Sequence, residues 1–186
     1  MNDDLALIDE ALHGNSSAFG RLVTRYQDRL YNTLVHVTGS AEEGRDVCQD
    51  AFIQALVKLR SFQRSSAFYT WLYRIALNMA ASRRRRKKPT VSVDQHRELT
   101  GYEPVARDGQ PSEPLERQER VARVQEALSA LDDDFRTVLV LREIDGHPYE
   151  TIAEMLDLPL GTVRSRLHRA RMELREQLKG ILIEEA

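Results

Sequence analysis

Apolar positions recur every three or four residues along most of this chain, and no segment alternates apolar and polar residues as a strand would. The pattern predicts an all-α protein in two small helical parts. In the N-terminal part it predicts four helices. The first runs from Asp4 to Leu12. The second, "SSAFGRLVTRYQDRLYNTLVHVTG", starts at a serine cap and stops at Gly39. The third, "AEEGRDVCQDAFIQALVKL", follows Ser40, and the fourth lies in "SAFYTWLYRIALNMAASRRRRKK". The C-terminal part also reads as four: Arg117 to Ala130, Asp133 to Ile144, Pro148 to Leu156 and Leu160 to Leu178. Gly146 stops the second of these and Pro148 opens the third. Between the two parts, residues 89–118 hold four of the six prolines and no sustained apolar period. That length exceeds what a compact domain keeps as a loop, so it predicts a flexible linker between domains at 1–88 and 119–186.

Each predicted helix can be tested for what its faces carry. On the third, Val47, Cys48, Ala51, Phe52, Ala55, Leu56 and Leu59 form a broad apolar face, suited to a core. Asp46, Asp50, Ile53 and Val57 point the other way, with Gln49 at the margin. Exposed Ile and Val beside acids describe a docking surface for another protein; equally, the first helix or the linker could cover Ile53 and Val57. On the fourth, Phe68, Leu72, Ile75 and Met79 share a core face. Tyr69 and Tyr73 lie well off it, and Arg74 and Asn78 form a polar stripe beside Trp71. Aromatic faces stack on bases that have left a duplex, and the run Arg83 to Lys88 suits salt-dependent phosphate pairing. One surface that wants both is single-stranded nucleic acid.

In the C-terminal part, "PYETIAEMLDLPLGTVRSRLHRARMEL" has a short helix, a tight turn and a longer helix, the helix-turn-helix pattern. Ile152, Ala153 and Leu156 are the apolar face of the first helix. Val163, Leu167, Ala170, Leu174 and Leu178 share one face of the second. Ser165, His168, Arg169 and Met172 project from the opposite face, bordered by Arg164 and Arg171 on one edge and Arg166 on the other. Arginine pairs bidentately with guanine edges in a major groove, and outer arginines hold phosphates. Thr162 and the first backbone N–H groups suit a phosphate.

Composition adds limits rather than new elements. The 186 residues carry 41% apolar and 30% charged side chains, a globular composition, with a net charge of −2. Against that near-neutral total, Arg83 to Lys88 and the four arginines of Arg164 to Arg171 are two concentrated basic spots, which predicts two separate anion contacts. No apolar run approaches a membrane span, and the acidic start "MNDDLALIDE" is no secretory signal, so a cytoplasmic protein without membrane insertion is expected. The single cysteine, Cys48, excludes an internal disulfide and a multi-cysteine zinc cage, and its setting predicts a buried, inert thiol. No nucleophile–base pair, metal-ligand set or phosphate-binding glycine loop is present. The expectation is no cofactor, no metal and no enzyme activity.

The segments "DVCQDAFIQALVKLRSF", "SAFYTWLYRIALN" and "LREIDGHPYETIAEMLDLPLGTVRSRLHRAR" closely resemble bacterial RNA polymerase sigma factors of the extracytoplasmic-function (ECF) type, sigma-70 relatives that keep only regions two and four. The resemblance covers nearly the whole chain outside the linker. It implies a factor that binds core polymerase, selects a promoter class and melts it. It implies that Asp46, Gln49, Asp50 and Ile53 dock on the beta-prime clamp helices, with a further contact to the beta flap. The minus-ten element would fall to Phe62, Arg64, Ser65, Ser66, Tyr73, Arg74, Asn78, Arg83 and Arg84. The minus-thirty-five element would fall to Thr162, Arg164, Ser165, His168, Arg169 and Arg171. This chain reads "FQRSS" where relatives commonly have "FRG", an acid and Ser. An anti-sigma factor that covers these surfaces is a further implied partner. A free-standing regulator is the main rival reading, against which the docking face and the aromatic-basic helix both argue.

Overall fold

The computed structural model describes residues 2–87 and 115–183. Most of the expected linker, together with Lys88, lies outside the described residues. Eight α-helices are formed and no strand appears among the described residues.

α1 (Asn2–Leu12) packs Leu7 and Ile8, both fully buried, against α2 (Ser16–Thr38). Its acidic first turn suits a helix N-terminus and also reaches sideways. Arg25 of α2 donates to both Asp3 and Asp4, and the Tyr26 hydroxyl donates to Asp4. The expected serine cap of α2 is not formed. Asn15 holds the cap position, and Ser17 Oγ donates to Asn15 Oδ1 at 2.7 Å instead of capping backbone N–H groups. Gly39 closes α2 in the left-handed region at φ 73, donating to the Val35 carbonyl. Ser40 then caps α3 (Ala41–Val57), its hydroxyl accepting from the Glu43 N–H at 3.2 Å. A 3-10 turn at Leu59–Ser61 leads to α4 (Phe68–Lys87).

α5 (Leu115–Ala130) starts inside the last residues expected of the linker. α6 (Asp133–Leu139) is capped by Asp132, which accepts from the Asp134 N–H at 3.0 Å. The predicted helix to Ile144 is not uniform: Val140–Ile144 is a π-helical turn, which widens the backbone just before Gly146. α7 (Tyr149–Leu156) has Pro148 at its N-cap and ends at Asp157, a non-glycine residue at φ 54. α8 (Leu160–Ile183) follows. Ile152, Met155, Val163, Leu167 and Ala170 are buried between α7, α8 and α6, completing the helix-turn-helix. Met155 belongs to that core, although periodicity pointed to Leu156, which is half-buried.

The two helical parts do not stand apart. Their buried apolar residues join in one cluster, with α7 packed on α4 and the π turn on α2.

Candidate nucleic-acid interface

The outer face of α3 is open. Ile53 is 52% exposed and Val57 73%, so neither α1 nor any other described residue covers them. Leu56, expected in the core, is a correction: it is 51% exposed and extends the same face. At 100° per residue it falls at the edge of the buried arc, where α4 does not reach. Asp46 and Gln49 are exposed and Asp50 is half-buried. Arg83 of α4 donates to Asp50 and lies 3.7 Å from Asp46. The first arginine of the basic run is thus anchored on the acidic margin of this face. Cys48 lies beneath it, buried, with its thiol pushed up to about 11 by burial, which suits an inert side chain.

The loop before α4 and α4 itself carry the second group. Phe62 was expected to face a strand; it is buried instead, 5.2 Å from Trp71 and 6.0 Å from Phe68 between ring centroids. Three aromatics at this corner exclude water better than one, and that outweighs leaving Phe62 outside. Ser65 is exposed and Ser66 half-buried. Arg64 sits at φ 58, a conformation that costs a residue with a Cβ, and its guanidinium pairs with Asp9 of α1. Asn78 is exposed.

Tyr73 is the clearest departure. Its position on the wheel is off the α4 core face, yet it is 1% exposed. Its hydroxyl lies 3.1 Å from Thr33 Oγ1 of α2, and the His147 ring covers it at 5.7 Å, edge to face. Tyr69 stacks on His147 at 5.8 Å and 15° and also meets Tyr73 edge to face at 6.3 Å, so the three rings form a triangle. Arg74 donates twice to the Glu154 carbonyl of α7, at 2.9 and 2.6 Å. Arg84 pairs with Asp133 of α6 at 2.8 Å and donates to the Val37 carbonyl. Residues that helical periodicity assigned to a solvent-facing stripe are therefore held by the other half of the chain.

Periodicity missed the residues that hold them. Asp145 Oδ2 accepts from Thr33 Oγ1 at 2.7 Å, and its carbonyl accepts from Arg29 at 2.9 Å. Burial raises the Asp145 carboxyl above its ordinary range. His147 Nε2 is buried without a hydrogen-bond partner, 3.8 Å from Asp145 Oδ2. Burial and the Arg29 charge push its imidazole down to about 4, so at neutral pH the ring is uncharged and the pair is a contact rather than a salt bridge. Arg136, buried in α6, donates to the carbonyls of Leu128, Ser129 and Leu131 at the end of α5. The signal was present in "REIDGH", an acid and a histidine flanking a glycine after an apolar run, but such a turn ordinarily faces water.

On α8, Arg164, Ser165, His168 and Arg169 are all exposed along one face, with Met172 beside them. Arg166 pairs with Asp134 at 2.6 Å and Arg171 with Glu143 at 2.6 Å. These two bind the helix to α6 and the π turn, and no described residue forms an ion pair with Arg164 or Arg169. Thr162 is half-buried at the helix start, and Ser165 Oγ donates to its carbonyl at 3.0 Å. The arrangement offers an edge-on cationic stripe of groove-reading length with a small polar centre. Among the described residues no cluster of three metal-ligating side chains occurs, and no helix is long and apolar enough to cross a membrane.

Comparison with known proteins gives two family matches in chain order. Residues 22–90 match Sigma-70 region 2, and residues 122–174 match Sigma-70, region 4. The ECF RNA polymerase sigma factor SigW of Bacillus subtilis is 37% identical over 179 residues, covering 94% of this chain and 96% of SigW. The RNA polymerase sigma-H factor of Pseudomonas aeruginosa is 38% identical over 186 residues, covering 97% of this chain and 96% of that protein. Among solved structures, CnrH in complex with the cytosolic domain of CnrY superposes with a TM-score of 0.70 at 28% identity, covering 96% of this chain and 98% of that one.

Proposed function

The chain belongs to the sigma-70 family as an ECF RNA polymerase sigma factor, and from that premise we propose which of its surfaces performs each step. It is a transcription initiation factor and not a catalytic enzyme. Region two takes the first four helices and region four begins with α5 at Leu115, with the linker between them. The factor works with core RNA polymerase on promoter DNA in the bacterial cytoplasm.

The observation that carries the reading is the open apolar-acidic face of α3, where Ile53, Leu56 and Val57 stand exposed beside Asp46, Gln49 and Asp50. Three large exposed apolar side chains in one stripe are costly to leave in water and suit the core of an interface. This is the seat for the beta-prime clamp helices. The exposed face of α8 reads the minus-thirty-five element: Arg164, Ser165, His168 and Arg169 face bases, while Thr162 and Arg171 hold phosphates, Arg171 exchanging Glu143 for DNA. The minus-ten strand lies along Ser65, Ser66, Arg74, Asn78, Arg83 and Arg84, with Arg64 at the loop apex and Tyr73 reached once region four has moved. Phe62 supports the loop from beneath rather than touching bases. Unstacking costs a few kcal/mol per step, roughly what pocket and stacking contacts return. A partner protein of the anti-sigma class would cover the α3 face. CnrH, a solved structural neighbour, was captured in complex with the cytosolic domain of CnrY.

Co-elution with bacterial core RNA polymerase on a sizing column tests the docking assignment. The native chain is expected to co-elute, and an Asp46→Arg/Asp50→Arg variant of unchanged helicity is expected to run alone. Co-elution retained by that variant would move the docking surface off α3.

A further inference from the structure

The loop that leads into α4 is held at both ends and by a single polar contact between them. At one end Phe62 is buried against Trp71 and Phe68, and its N–H donates to the Leu59 carbonyl at 3.2 Å. At the other end the Ala67 carbonyl accepts from the Trp71 N–H at 3.2 Å. Among the described residues, no backbone hydrogen bond involves Gln63, Arg64, Ser65 or Ser66. What ties this stretch to the rest of the fold is the Arg64 guanidinium. It forks onto Asp9 of α1, one nitrogen to each carboxylate oxygen, the longer contact at 3.3 Å.

Asp9 stands on a fixed platform, because Leu7 and Ile8 beside it are fully buried. Arg64 has a left-handed backbone at φ 58, which glycine would adopt without strain and arginine does not. A backbone so disfavoured persists only where its surroundings hold it. A two-bond fork is directional, so it fixes where the guanidinium lies and with it the turn of the backbone. With its charge given to Asp9, Arg64 is poorly placed to hold a phosphate as well. Ser65, exposed, and Ser66, half-buried, follow it in the chain and are then the loop's contacts with the strand. We infer that Asp9 is a positioning residue for capture of the minus-ten strand: it locks Arg64, and Arg64 acts by holding residues 63–66 in one shape rather than by touching DNA. The inference rests on the reading of this loop as a strand contact given above. A loop already in its bound shape loses less freedom when the strand arrives, and affinity rises accordingly. The opposite assignment makes Arg64 a phosphate contact for which Asp9 competes, and it predicts effects of opposite sign.

The test uses holoenzyme assembled from bacterial core RNA polymerase and the full chain. It is offered duplexes whose unpaired minus-ten strand is randomised, and sequencing of the bound fraction gives the base preference at each position. The favoured duplex is then titrated by anisotropy over a range of salt. Asp9→Ala and Arg64→Gly are each expected to weaken binding about threefold to fivefold, the scale of a partly exposed ion pair. Both should flatten the base preference beside the loop. The double variant should bind no worse than either single, because both remove one contact. The salt slope should stay native, whereas loss of a phosphate contact would lower it by about 0.7. Asp9→Glu should bind like the native chain, and exchanging the charges in Asp9→Arg/Arg64→Asp should recover most of the loss. Helicity and affinity for core polymerase, read alongside, should not move. Tighter or unchanged binding by Asp9→Ala overturns the inference, as do additive losses in the double variant or a lowered slope in Arg64→Gly. Ser65→Ala/Ser66→Ala separates the two readings. If it weakens capture while Asp9→Ala does not, the loop contact stands and the positioning role falls. If it binds as the native chain does, the loop reading falls and takes the inference with it.

Discussion

Gly44 of α3 lies against the backbone of Val35 in α2, so close that a Cβ on Gly44 would sit 2.9 Å from the Val35 nitrogen and 3.1 Å from its Cα. α2 and α3 pack extensively on each other, and at this point there is no room between them for a side chain. Gly44 lies in the first turn of α3, where replacing glycine by alanine gains at most about 1 kcal/mol of helix propensity. Here the obstacle is backbone, which cannot swing aside, and overpacking of this kind costs about 1–3 kcal/mol. The clash is expected to win. Gly44→Ala should lower the urea midpoint of region two, with a net loss of about 1–2 kcal/mol and native helicity at zero denaturant.

Ile53 is exposed, so changing it should leave the fold alone while disturbing docking. Ile53→Asp is expected to keep its urea midpoint to within about 0.5 kcal/mol. Affinity for core polymerase should fall by about 2 kcal/mol, near the threshold for a hot-spot residue. Titration of labelled chain with core polymerase, read by anisotropy, measures it. An unchanged affinity would place the interface elsewhere.

Arg169 and Arg166 share a helix but differ in partner. Arg166 is tied to Asp134, whereas Arg169 projects from the exposed face. Arg169→Ala should weaken binding of a cognate minus-thirty-five duplex by about 1–3 kcal/mol with unchanged thermal stability. Arg166→Ala should show the reverse order of effects: a small loss of stability, because the pair is partly exposed, and little change in base discrimination.

Closure of region four on region two should depend on pH through His147. An unfolded or solvated imidazole titrates near 6.5, whereas burial and Arg29 hold this one at about 4. Between those values the opened chain binds a proton that the closed chain refuses, so the closed state loses stability as pH falls from about 6.5 toward 4. His36, lowered by burial despite its hydrogen bond to Gln125, acts in the same direction. Asp145 opposes them. Its raised carboxyl takes up a proton more readily when closed, which favours closure as pH falls toward the carboxylate range. Arg29 is the other charged group facing the ring, and burial raises the Tyr73 hydroxyl further above its ordinary range. Scattering from the native chain should therefore show expansion between pH 7 and 5. The dependence should be weaker in His147→Gln and steeper in Asp145→Asn, where the opposing group is gone.

Much of the candidate site is legible in the sequence. Helical periodicity gives the direction in which the stripes of α3 and α8 point, but whether the first helix or the linker covers Ile53 and Val57 was left open by it, and the structure shows both exposed. Ile53, Arg164, Ser165, His168 and Arg169 all lie where the wheel put them. Phe62 and Tyr73 do not. A wheel ranks the positions of one helix against a single direction of burial, and both residues are buried from a second direction, Phe62 by Trp71 and Tyr73 by His147.

The sequence by itself determined the helices, their caps at Ser40 and Gly39, the helix-turn-helix and the family, since each rests on local spacing and local hydrogen bonding. Only the tertiary structure decided which polar residues face water. Thr33 lies 112 positions before Asp145, and Tyr73 and His147 also stand on opposite sides of residues 89–114, yet each pair meets within hydrogen-bond or ring-contact distance. No periodicity connects two segments across such a gap. Their burial depends on how the two halves pack, and that packing is set by shape and charge summed over both surfaces rather than by any one stretch of chain.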